Sequence, residues 1–323
     1  MIVATKEKEK KPEQVQVVVE KEIKVEAKPS KLKAKKPELV ERRLKMLVYG
    51  KAGSGKTTAA IQFPQSVIVD LEHGTDSYQK TILANNSIVL HSLDPSEIKE
   101  ELTTLLTEDH GYKTVIIDPI THYYNAVQEK WTRIFSKHAK DEKAAELQDF
   151  GMKFWGRVKA EYKALQRILL SLDMNVIIIS HEKDVYGNNF NKIGTSYDAM
   201  RGEDYVYDFV FQLEKRGQDR IAIKIKERSE IGDNKFPDEF PWSYQNFLKY
   251  YGQKTIEKKA EPKQLATKEQ VAKITQLLEI AKIEDETVEK WFNKEGVDEW
   301  AEFSFVNIQK CIDFINKRLG GIK

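Results

Sequence analysis

The stretch Lys45-Met-Leu-Val-Tyr-Gly50-Lys-Ala-Gly-Ser-Gly55-Lys56-Thr57-Thr58 decides how the rest of the chain is read. An apolar run, Lys45–Tyr49, ends at Gly50, and Thr58-Ala-Ala-Ile beyond the loop suits the start of a helix. Between them lies G-x-x-x-x-G-K-[ST] with an additional glycine, Gly53. Glycine has no Cβ, so such a loop can curl until its backbone N–H groups converge on phosphate oxygens. The helix that follows turns its positive end toward the same anion. The expected phosphate cradle is formed by Gly50, Ala52, Gly53, Ser54 and Gly55, closed by Lys56, Thr57 and Thr58. Lys56 would supply a cation to the β- and γ-phosphates of ATP, and Thr57 a hydroxyl ligand for Mg2+.

Working outward, apolar strand candidates recur at Ser66–Asp70, Ser87–Leu90, Thr114–Asp118, Asn175–Ser180, Phe209–Leu213 and Ile221–Ile225. Helical patterns separate the early ones. Near-continuous β-branched runs mean strands covered on both faces, so the expectation is an α/β fold with a largely parallel sheet. The clearest helix spans about 151–173, with Trp155, Val158, Tyr162, Leu165, Leu169 and Leu172 at core-facing intervals.

Ligands of such sheets gather beyond the carboxyl ends of the strands. Asp118 closes the apolar run Thr114-Val-Ile-Ile and has the form of a Walker B acid, the second metal-site residue after Thr57. Pro119 follows it, so no acidic neighbour stands there to activate water. Glu72, in Val67-Ile-Val-Asp-Leu-Glu-His-Gly74, lies just past another strand end and is the candidate general base or water-positioning group. His181 follows the run Val176–Ile179 and is the candidate γ-phosphate sensor, with Ser180 second.

Charge divides the chain. The sum is +2, but residues 1–44 carry +5, 45–251 carry −3 and 252–323 carry 0. A uniformly basic nucleic-acid binder is excluded; a local groove is not. Residues 1–43, rich in Lys, Glu, Val and Pro, read as a disordered tail. Residues 44–251 read as the α/β domain, 252–264 as a polar linker, and 265–320 as a small helical module opening with a Thr267–Gln270 capping box. The longest uninterrupted apolar runs have four residues, so no membrane partner is expected. The single cysteine, Cys311, permits no internal disulfide and fits a cytoplasmic protein, in the host cytoplasm if the source is viral.

Taken together, the loop 50–57, Val-Asp-Leu-Glu72-His-Gly, Asp118 and the strand-tip His181 resemble the core of RecA-type P-loop ATPases over roughly residues 44–250. Phe63-Pro64 and Ser180-His-Glu-Lys183 are similar to phage-encoded RecA-like ATPases of the single-strand annealing (Sak) group. The resemblance implies ATP with Mg2+ and homo-oligomers, rings or filaments, with nucleotide at the interfaces. It also implies single-stranded DNA held by two loops, and a single-strand-binding protein or another replication or recombination protein as a further partner.

The second loop would be about 184–204, a mobile segment with Lys183, Lys192 and Arg201 as phosphate contacts and Tyr186 and Phe190 as stacking residues. Residues 130–167 hold 10 Lys/Arg against 5 Asp/Glu with interleaved aromatics, so Lys153, Lys159 and Lys163 join the DNA-binding candidates. Lys224, Lys226 and Arg228 alternate on a late strand, on one face, and are candidates to reach a neighbour's ATP. The alternative is a nucleotide-dependent loader or adaptor with slow turnover, whose tail and helical module bind proteins. A small-molecule kinase fits less well, for want of an Arg-rich lid.

Overall fold

The apolar run before the phosphate loop is β1 (Lys45–Gly50), and it lies in the middle of one mixed sheet. The computed structural model describes residues 42–138, 147–188, 190–228 and 235–320. The expected disordered tail therefore lies outside the described residues up to position 41. Arg43, which composition assigned to the tail, is buried in the folded body.

In chain order β1 is followed by α1 (Lys56–Ala60), β2 (Ser66–Asp70), α2 (Gln79–Ala84), β3 (Ile88–His91), α3 (Pro95–Thr107) and β4 (Thr114–Asp118). Then come α4 (Ile120–His138), α5 (Leu147–Ser171), β5 (Asn175–Tyr186), β6 (Lys192–Tyr197), α6 (Glu203–Val206), β7 (Phe209–Arg216), β8 (Asp219–Glu227) and β9 (Glu239–Pro241). The sheet order is β3-β2-β4-β5-β1-β7-β8-β9, with β6 paired to β5 alone. All pairs from β3 across to β7 are parallel; β8, β9 and β6 are antiparallel additions. The expected largely parallel α/β sheet is the observed one.

The inner strands β1, β2 and β4 are buried throughout because helices cover both faces of the sheet there, whereas the outer β3 is half exposed. Leu47, Val69, Ile117 and Ile178 point to one core with Leu102, Tyr123 and Leu165 of the α3, α4 and α5 layer. Met46, Ile68, Ile116 and Ile177 point to the other, with Phe63 and Phe247. Phe63, of the Phe-Pro pair, is fully buried and packs on Tyr244 and Phe247 at ring separations of 4.7 and 5.6 Å. Burying such a ring contributes about 2–3 kcal/mol.

After β9 the chain forms α7 (Tyr244–Tyr251) and α8 (Gln253–Glu257), then α9 (Lys268–Ala281), α10 (Asp285–Glu295) and α11 (Phe305–Gly320). The Thr267–Gln270 capping box is present in both directions. Ile274, Phe303, Ile308, Ile312 and Ile315 form the core of this helical module.

Four sequence expectations change. The segment 252–264 contains α8 and is stapled to the sheet: Ile256 and Ala260 are buried, and the Lys263 amide bonds to the Leu106 carbonyl. A polar composition concealed this because backbone groups and two small apolar contacts hold it. The expected mobile loop at 184–204 is largely a hairpin, since β5 runs on to Tyr186 and pairs antiparallel with β6. Trp155 is half exposed: at this end α5 runs past the core, and Phe154 turns in toward Phe135 instead. Lys224 and Lys226 do not share a face. A β-bulge in the β7–β8 ladder sets Lys224 opposite Phe211 but Lys226 opposite Val210, which point to different cores.

Candidate functional site

The register fixes where the polar residues meet. Gly50 pairs with His181, and Asp70 with Asp118, so β1, β2 and β4 end at one edge of the sheet, level with His181 on the longer β5. The phosphate loop leaves β1 there. Gly53 and Gly55 have φ of 74° and 90°, a left-handed conformation that favours glycine. A Cβ on Gly50 would collide with the Leu213 carbonyl of β7 and stand 2.9 Å from Ser54 Oγ. The helix after the loop has only five residues, so the loop amides, rather than a long helix dipole, give the cradle its positive character.

Lys56 Nζ donates to the Gly50 and Lys51 carbonyls, at 2.8 and 3.0 Å. Burial holds its ammonium pKa below the usual value, against the pull of Asp118 and Glu72. Thr57 Oγ1 donates to Asp118 Oδ2 at 2.6 Å. Asp118 is 3% exposed and makes no ion pair among the described residues. Burial pushes its carboxyl pKa up to about 7, with Glu72 and Asp70 adding to the shift and Thr57 opposing it. Ser54 Oγ, also buried, has no hydrogen-bond partner among the described residues. A buried carboxylate beside a threonine hydroxyl, without a paired cation, is an all-oxygen donor set that fits Mg2+.

Glu72 is set by its own turn. Asp70 accepts from the amides of Glu72, Gly74 and Thr75, at 3.1, 3.2 and 2.9 Å, and from the Thr75 hydroxyl. Burial would raise the Asp70 carboxyl, but these donors outweigh it and hold the pKa below the usual range. Glu72 Oε2 then lies 3.2 Å from His181 Nε2 and 3.4 Å from His122 Nε2. His181 is held from behind, its amide donating to Thr121 Oγ1 at 3.0 Å, while that hydroxyl donates to the Asp198 carbonyl at 2.7 Å. Ser180, the second sensor candidate, is buried within this knot, donating to the His181 carbonyl and accepting from the Asp198 amide.

The loop, Glu72 and His181 line one cavity of about 930 Å³. Its other walls include Tyr78, Gln62, Arg220 and Trp242, none of which the motifs pointed to. The Arg220 side chain lies against Gly55, and Trp242 Nε1 donates to the Gly55 carbonyl at 3.3 Å. They come from β8 and the turn after β9, so only sheet pairing brings them here. His122 was missed as well, although its place four residues after Asp118 at a helix start was visible.

The outlying candidates do not gather at this cavity. Lys224 donates to the Phe236 carbonyl, and Lys226 to those of Asp204 and Tyr207, each at 2.6 Å. Arg228 is exposed and makes no ion pair among the described residues. On the hairpin, Lys192 pairs with Asp184 at 2.6 Å and Lys183 with Asp198 at 3.2 Å. Arg201 is exposed. On α5, Lys153, Lys159 and Lys163 are exposed; Lys159 and Lys163 are one helical turn apart, and Lys153 projects about a third of a turn away. Part of the basic character of this region is consumed internally, since Lys130 and Trp131 both bond to Glu161 at 2.6 Å.

The family model for the AAA domain matches residues 42–228, from the start of β1 to the end of β8. The chain belongs to the AAA-domain family. No curated protein matches it. Among solved structures, the crystal structure of the RadB recombinase is similar over 57% of this chain and 80% of its own, at 19% identity and a TM-score of 0.35. The AAA-domain match ends before β9 and α7, so Trp242, which completes the cavity wall, lies outside it.

Proposed function

We propose that the chain is a Mg2+-dependent ATPase that acts on single-stranded DNA in phage-type recombination, by annealing or strand exchange, as a homo-oligomer. The observation that carries the ATPase reading is that the phosphate loop, Glu72 and His181 line one cavity, with Asp118 held behind it by its 2.6 Å bond from Thr57 and Glu72 standing 3.2 Å from His181. The loop amides and Lys56 would bind the ATP phosphates, Lys56 exchanging its two carbonyls for phosphate oxygens. Thr57 and Asp118 would hold Mg2+, which when bound spreads the phosphate charge. Glu72 would orient water toward the γ-phosphate. His181 would exchange its Glu72 partner for a γ-phosphate oxygen.

The DNA part rests on the exposed Lys159, Lys163 and Arg201 and on Tyr186 and Phe190 at the hairpin end, 58% and 90% exposed. Arg228 is the cation best placed to serve a neighbouring subunit, because Lys224 and Lys226 would first have to leave their carbonyls. One observation favours the loader or adaptor reading. The hairpin cations Lys183 and Lys192 are neutralised by Asp198 and Asp184, leaving an apolar tip better suited to a protein.

ATP turnover with and without single-stranded DNA separates the two. The first reading expects stimulation that Lys56→Ala and Glu72→Gln both lose. Turnover indifferent to DNA, with no binding at low salt, would leave the loader reading.

A further inference from the structure

His122 has no part in the mechanism above, yet its Nε2 is aimed at the same Glu72 oxygen as His181. Glu72, His122 and His181 each offer one ligand atom, and these atoms all lie within 4.8 Å of one another. The two measured edges are 3.2 and 3.4 Å. Around a tetrahedral Zn2+ with bonds of about 2.1 Å, neighbouring donors stand about 3.4 Å apart. The imidazoles meet edge to face, at 86° and a centroid separation of 5.2 Å, so both nitrogens can converge without ring overlap.

Three separate elements deliver the ligands: the turn after β2, the first turn of α4 and the middle of β5. The backbone behind each is fixed by Asp70, by Pro119 and by Thr121. The side chains are 37–39% exposed, which leaves an open coordination position toward the cavity. Two imidazoles and one carboxylate select a late first-row cation over Mg2+, which takes oxygen ligands.

A second His and acid group, His73, Asp76 and His91, lacks this geometry. Its rings stack nearly parallel at 13°, and its nitrogens reach different Asp76 oxygens, at 4.0 and 3.7 Å.

We propose that Glu72, His122 and His181 form a binding site for a late first-row divalent cation, with Zn2+ as the reference ion, separate from Thr57 and Asp118. Bound cation would occupy the Glu72 oxygen and His181 nitrogen, and so stop turnover without displacing nucleotide. This inhibitory consequence rests on the ATPase reading; the site itself does not.

The test is Co2+ titration of the untagged full chain, followed by visible ligand-field absorption, with Zn2+ as competitor. Wild type and His91→Gln are expected to develop the bands and lose them to Zn2+. His122→Gln should lose them, with Zn2+ affinity reduced by more than about 100-fold; His181→Gln repeats the test should the first variant fold poorly. No bands in wild type, or equal binding by wild type and both variants, would overturn the proposal. In Mg-ATP turnover, Zn2+ should inhibit wild type but spare His122→Gln. Metal bound to protein that never turns over ATP would keep the site and refute the ATPase reading.

Discussion

The two edges of the same parallel sheet treat buried charge in opposite ways. At the edge where β1 begins, Arg43 forms a forked pair with Asp173, both contacts at 2.9 Å, and also reaches the carbonyls of Lys258 and Lys259. Lys45 next to it gives one hydrogen bond to each of three carbonyls, Leu169, Leu172 and Met174, at 2.8, 3.0 and 3.1 Å. Asn175 ties Lys113 and Ile256 into the same corner. At the far end of β1, at the other edge, Asp118 has one hydroxyl donor, Lys56 rests on loop carbonyls, and among the described residues Asp118 has no paired cation and Ser54 Oγ no partner. A saturated polar cluster fixes the chain in one arrangement; an unsaturated one is poised for an incoming ligand. The contrast assigns stability to one edge and binding to the other.

The largest expected effect is at the unsaturated edge. Lys56→Ala should lower ATP turnover by about 10³-fold or more, with little change in the urea midpoint. A comparable loss of stability would mean that Lys56 is as structural as Lys45. The mirror experiment is Arg43→Ala, which should cost about 3 kcal/mol in urea unfolding because Asp173 and two carbonyls lose their donor. Nucleotide affinity per folded molecule should stay at the wild-type value; if affinity falls in parallel, the two edges are not independent.

A third buried charge sharpens the distinction through pH. Glu203 is fully buried, accepting from Tyr207 and Gln166 at 2.8 and 2.7 Å, and burial pushes its pKa from 4.5 up to about 7. Its folded form thus keeps a proton that the unfolded chain releases between those values. The contribution is fully present below about pH 4.5 and is lost as pH rises through 7. The stability of wild type relative to Glu203→Gln should fall by about 3 kcal/mol between pH 4.5 and 8. A flat difference would show that the hydrogen bonds outweigh burial there.

The smallest effect is expected on the hairpin. Lys192→Ala removes an exposed ion pair and should leave the urea midpoint at the wild-type value. DNA affinity unchanged by this substitution, but weakened by Lys159→Glu with Lys163→Glu, would put the nucleic-acid path on α5.

Most of the parallel sheet could be read from the chain because its strands carry apolar runs, and three of them end in Gly50, Asp70 and Asp118, which mark the edge as well as the strand. The antiparallel parts were harder. Lys-Ile-Gly-Thr-Ser-Tyr in β6 lacks an apolar run, because its residues are half or fully exposed and only backbone pairing makes it a strand. The bulge that separates Lys224 from Lys226 inserts one residue without altering composition. Residues of the phosphate loop were legible because the motif is local. Arg220 and Trp242 were not, since only sheet pairing brings them to the cavity from far along the chain, and His122 was not, since it meets Glu72 only through the packing of α4.

Thr121 gives these parts a common pivot. One hydroxyl group receives the His181 amide and grips the Asp198 carbonyl, and it belongs to the first turn of α4. The cavity wall, the base of the hairpin and the origin of a 19-residue helix meet at one oxygen, beside the Ser180 bond that also holds Asp198. The backbone under His181 and the last turn out of the hairpin are therefore anchored to the same helix origin.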